Sequence, residues 1–194
     1  TTHTVAAIDS FGAQLISLKD ADKKEYIWQR DPEIWPRCSP LLFPAVGNCR
    51  DGRTRFDGEW FEMEKHGFCK ESDFIVDEQK EDAVTFRLTA NAQTRNSYPY
   101  DFILSLTYRL ENGILLMDYC VENPDCREIC YCIGSHPGFI CPLAEGETFE
   151  DYQLEFEKEE NTCAMPYDLQ ALQFDAGKKG LELKHTQILP LSYE

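Results

Sequence analysis

No apolar run in this 194-residue chain is long enough to span a bilayer, which excludes a helical membrane anchor within it. No basic stretch followed by an apolar core opens the sequence, so no secretory signal is visible and a cytoplasmic location is the expectation. The opening Thr1-Thr2-His3-Thr4 lacks an initiator Met, which reads as a trimmed or replaced N-terminus. Cations are scarce: 19 Lys+Arg stand against 35 Asp+Glu, a formal net charge of −16. A surface of that sign repels phosphates, arguing against nucleic acid and anionic membrane as partners and for a small neutral or cationic ligand. Helical periodicity is missing too. No segment reads as a helix of more than three turns, and there is no internal repeat or low-complexity linker. The length suits one well-cored domain over residues 1–194.

A paired metal-binding pattern is also lacking. The nine cysteines are Cys38, Cys49, Cys69, Cys120, Cys126, Cys130, Cys132, Cys141 and Cys163. Cys126, Cys130 and Cys132 have C-x3-C-x-C spacing without a matching second pair, which is not a zinc-ribbon arrangement. No metal is expected. An odd count without a secretory signal reads as free thiols in a reducing compartment, most of them buried in strand-like surroundings.

What is present is a succession of short strands. Residues 4–8 and 13–18 flank the turn Asp9-Ser10-Phe11-Gly12, and Tyr26-Ile27-Trp28 resumes an apolar strand. Residues 31–44 hold Pro32, Pro36, Pro40 and Pro44 with Trp35 and Phe43 among them. A central strand there is not expected, because proline donates nothing to a ladder. Phe56-Asp57-Gly58-Glu59-Trp60-Phe61 reads as a tight hairpin. Phe102, Leu104, Leu106, Tyr108 and Leu110 alternate with Ser105, Thr107 and Arg109, the period of a half-buried strand. Asn112-Gly113 then turns the chain into a partner strand over 114–121. Beyond Pro142 the pattern weakens to a strand over 149–156, an acidic loop over 157–163 and a short apolar end over 188–191. The expected class is all-β, a large antiparallel sandwich.

Two of the four histidines lie in breaker-rich motifs: Lys65-His66-Gly67-Phe68 and Ile133-Gly134-Ser135-His136-Pro137-Gly138-Phe139. Pro137 fixes its own φ and extends His136, so that imidazole is aimed. A histidine gives or takes a proton near neutrality. Arg50, just before an Asp-Gly turn, is a candidate fixed donor to a polar ligand. Trp35, Phe68 and Phe139 are candidates for an aromatic wall, with packing into the core as the plainer alternative.

The order "LLFPAVG…R", "HGF", "YPYDF", an Asn-Gly hairpin and "IGSHPGF" resembles the aldose 1-epimerase (galactose mutarotase-like) family from about Ala6 onward, in its bacterial branch of unassigned sugar specificity. The resemblance implies a β-sandwich that interconverts the α and β anomers of an aldose without metal or organic cofactor, with a small sugar as partner. It implies that His136 acts as the acid and that His66 binds and polarises sugar oxygens, with Arg50 and Phe139 in the binding site. It also implies a base glutamate on a late strand. No segment after His136 matches that strand, so the chain reads as the N-terminal portion of a longer family member. Glu155, Glu157, Glu159 and Glu160 are not assigned as the base. Two alternatives stand beside the enzyme: a non-catalytic carbohydrate-binding module, and a hexose-6-phosphate 1-epimerase, kept open by Arg50, Arg53 and Arg55. Sequence alone leaves the oligomeric state open.

Overall fold

The first hairpin pairs β1 (Val5–Asp9) with β2 (Gln14–Lys19) across the predicted turn, where Gly12 takes a φ of +76° that suits its missing side chain. The computed structural model describes residues 4–168, 170, 173–175 and 177–193. The chain divides into two compact units, Thr1–Phe139 and Ile140–Glu194. In the first, β3 (Leu41–Leu42) is followed by the hairpin of β4 (Arg53–Phe56) and β5 (Glu59–Glu62). Then β6 (Ile75–Gln79), β7 (Ala83–Thr89), β8 (Ile103–Glu111) and β9 (Ile114–Glu122) form an antiparallel sheet in the order β6-β7-β8-β9. Asn112 and Gly113, both at positive φ, turn β8 into β9 as the Asn-Gly signal predicts. A short strand, β10 (Gly134–Ser135), pairs with β3.

The period-two reading of β8 describes its burial. Phe102, Leu104, Leu106 and Tyr108 point into the core, while Ser105, Thr107 and Arg109 line the other face. Opposite them lie Ala13 and Leu15, and the Tyr108 hydroxyl donates to the Ala13 carbonyl at 2.7 Å, satisfying a buried polar group. The Pro-rich stretch is held onto β2 by the buried side chain of Gln14, whose Oε1 accepts from Cys38 N–H (3.2 Å) and Ser39 N–H (3.0 Å). Further along, Arg127 clamps the approach to β10. Its guanidinium lies 4.6 Å from the Tyr100 ring centroid and donates to Pro99 O, Asp57 and Asp125.

In the second unit, β11 (Gln153–Ala164) pairs with β14 (Leu181–Pro190), and between them β12 (Tyr167–Asp168) pairs with β13 (Gln173–Phe174). Three expectations need correction. Residues 157–163 lie in strand β11, not in an acidic loop: ladder bonds to β14 outweigh the weak strand propensity of glutamate, and the carboxylates stay in water. Residues 26–28 form isolated bridges rather than a strand, Ile27 pairing with Phe139. Cys38 and Cys69 are buried, but Cys120, Cys126, Cys130, Cys132 and Cys163 are exposed. Cys120 faces outward because it pairs with Ser105 on the solvent side of β8, and 126–132 runs over the surface instead of through the core.

Candidate active site

His66 and Gly67 both take left-handed backbone conformations, φ +68° and +70°. A Cβ at residue 67 would lie 2.1 Å from the Phe43 carbonyl oxygen, so the close approach itself requires glycine. That oxygen accepts from Phe68 N–H (3.1 Å) and Cys69 N–H (3.3 Å), and Phe43 N–H donates to His66 O (3.2 Å). Phe68 turns its ring into the core between Phe43 and Phe102, so it is packing and not wall. The histidine is fixed reciprocally: His66 N–H donates to Gly47 O at 2.8 Å, and Gly47 N–H donates to His66 Nδ1 at 3.0 Å.

That second bond sets the chemistry of the ring. A backbone N–H aimed at Nδ1 demands a lone pair there, so the neutral imidazole carries its proton on Nε2 and presents an N–H donor. Burial pushes the His66 pKa down, reinforced by the positive charge of Lys65, by His136 and by Lys70. His66 is therefore neutral at pH 7.

His136 arrives on a different strand. One continuous antiparallel register runs from Cys132 N–H on Pro44 O (2.9 Å), through Gly134 opposite Leu42 and Ser135 opposite Leu41, to His136 N–H on Pro40 O (3.1 Å). Side-chain alternation puts Cys132, Gly134 and His136 on one face. The His66 and His136 rings lie 6.0 Å apart, centroid to centroid, at 84°. On another side of His136 stands Trp35, 5.6 Å away and tilted by 48°. The arrangement places a fixed N–H donor beside a solvent-exposed imidazole that can carry a proton.

Arg50 is exposed at the head of the one-turn 3-10 segment Arg50–Gly52. Phe139 is 63% exposed and bridges its backbone to Ile27. Among the described residues neither is hydrogen-bonded or ring-stacked to either histidine, and no carboxylate hydrogen-bonds either imidazole. Sequence reasoning overlooked Gly47 and Pro40, whose backbone groups place the two histidines. The one available signal was the glycine of "AVG", which marks a special backbone position without saying what it holds.

This site lies in a chain whose residues 1–186 match the model of the aldose 1-epimerase family. The chromosomal protein LacX of Lactococcus lactis subsp. lactis is 39% identical over 163 residues, 81% of this chain and 54% of LacX. This chain thus spans about half the length of that relative. Among solved structures, the galactose mutarotase related enzyme from Lactobacillus acidophilus superposes with a TM-score of 0.89 at 29% identity, over 99% of this chain and 65% of that one. A galactose mutarotase-like protein from Lactobacillus casei gives a TM-score of 0.81 at 31% identity, over 98% and 67%. The all-β sandwich expected from the strand pattern, and the galactose mutarotase-like form of it that the resemblance implies, is therefore the fold, and the chain belongs to the aldose 1-epimerase family.

Proposed function

We propose that the protein interconverts the α and β anomers of a free aldose in the cytoplasm, and that residues 1–194 belong to a single domain. The observation that carries this reading is the convergence of His66 and His136, one ring locked as a neutral donor and the other open to solvent. Anomer exchange needs a proton delivered to the ring oxygen as the C1–O5 bond breaks and another removed from the C1 hydroxyl. Rotation about C1–C2 and reclosure reverse both transfers. In this scheme protonated His136 gives its proton to the ring oxygen and takes it back on closure. His66 donates Nε2–H to a sugar oxygen and holds the ring in place. Arg50 and Phe139 are proposed contacts for the distal part of the sugar, and the base that accepts the C1 proton is not assigned to a residue of this chain. The balance of −16 supports a sugar without phosphate.

Polarimetry of freshly dissolved α-D-glucose and α-D-galactose tests the proposal on the intact protein. Acceleration over the spontaneous rate is expected, falling by about 100-fold or more in His136→Gln. No acceleration of either sugar by a folded protein would overturn it.

A further inference from the structure

The Trp35 indole is seated more firmly than packing beside an exposed imidazole requires. Its backbone N–H donates to Asp31 O at 2.8 Å, and its carbonyl accepts from Trp28 Nε1 at 2.9 Å. The six-membered ring rests on Gly138, where a Cβ would lie 2.7 Å from the indole Cζ3. Gly138 is tied on both sides, its N–H on Cys38 O (2.5 Å) and its O accepting from Trp28 N–H (3.0 Å). Two residues earlier, His136 is bonded to Pro40. The segment bearing the indole and the segment bearing the imidazole are therefore laced together on either side of the ring contact.

We infer that Trp35 is a positioning residue: its indole holds the His136 ring toward His66. The inference rests on the proposed role of His136 as acid. The two rings are 5.6 Å apart and tilted by 48°, within the separation at which aromatic rings pack favourably. The rings in contact with His136 are the Trp35 indole and the His66 imidazole. The glycine of the "HPG" triplet thereby acquires a reason: it is the seat of the indole.

The test is proton NMR of the ring protons of His136, assigned by their loss in His136→Gln, together with polarimetric kinetics on D-galactose. Ring protons of His136 in the unsubstituted protein are expected to be displaced by the indole ring current. Trp35→Leu should abolish that displacement. Turnover should fall about tenfold with little change in KM. Trp35→Phe, which keeps an aromatic face, should restore part of both signals. Gly138→Ala, which unseats the indole without removing it, should reproduce the Trp35→Leu effects. An unchanged chemical shift in a folded Trp35→Leu protein would overturn the inference. A rise in KM alone, with the NMR signals unmoved, would also overturn it in favour of a sugar-stacking platform. The NMR signals need no substrate. Their presence in a protein without mutarotase activity would uphold the positioning and remove the proposed function.

Discussion

At the residue scale the site depends on two glycines and a lone pair. Gly67 stands where the Phe43 carbonyl comes closest, and that carbonyl already serves two N–H donors, so it cannot retreat from a new methyl group without breaking both bonds. Gly67→Ala is expected to cost more than about 2 kcal/mol, read from the midpoint of urea unfolding. His66 makes a different demand. Its pKa lies below the ordinary 6.5, so the folded state favours the neutral ring. The stability it contributes is complete above the ordinary value and is lost as pH falls through the lowered one. Protonation also puts a hydrogen where Gly47 N–H must donate. Urea midpoints measured from about pH 8 down to about pH 5.5 should therefore fall more steeply in the unsubstituted protein than in His66→Gln, which cannot titrate. Parallel curves would show that His66 is not the titrating group. Both histidines were legible from their motifs. Their tautomer and spacing were not, because these depend on Gly47 and Pro40, which contribute only backbone atoms.

At the element scale, β8 is the member of the four-stranded sheet that was plainest in the sequence, since alternation along one strand reports directly on the two faces of a sheet. The same alternation ranks substitutions. Leu106 is fully buried, and Leu106→Ala is expected to cost about 2–5 kcal/mol through lost transfer energy and the cavity left behind. Thr107, one residue along, meets Thr85 across the strands at 2.9 Å on the half-exposed face, and Thr107→Ala should cost less than about 1 kcal/mol. Similar losses from both in chemical denaturation would contradict the assigned faces. β11 was misread because nothing within the sequence 157–163 announces a strand; its partner β14 lies well downstream and supplies the hydrogen bonds. The surface course of 126–132 was hidden likewise. Arg127 holds that stretch against Asp57, Pro99 and Tyr100, and such long-range clamps leave no local periodicity.

At the scale of the whole molecule, composition was the legible part and its consequence is electrostatic. A balance of −16 means that like charges repel across the surface, whereas solvent-screened pairs such as Arg109 with Asp118 contribute little each. Global repulsion should win over these local attractions. Raising NaCl from about 10 mM to about 200 mM is expected to increase the thermal midpoint, by shortening the range of repulsion more than it weakens contact pairs. A decrease would mean that the ion pairs dominate. The ladder joining 40–44 to 132–136 carries a further consequence, one of timing. The β6-β7 and β8-β9 hairpins close over short loops, but Pro44 and Cys132 must meet across a loop of roughly ninety residues, an entropic cost paid before any of their bonds form. A ribosome that has released the chain only as far as Tyr131 has already made every strand of that sheet and the whole His66 turn, yet has none of the segment that brings His136. The approach of the two histidines then comes with the last few residues of the first unit, as a single late zipping event.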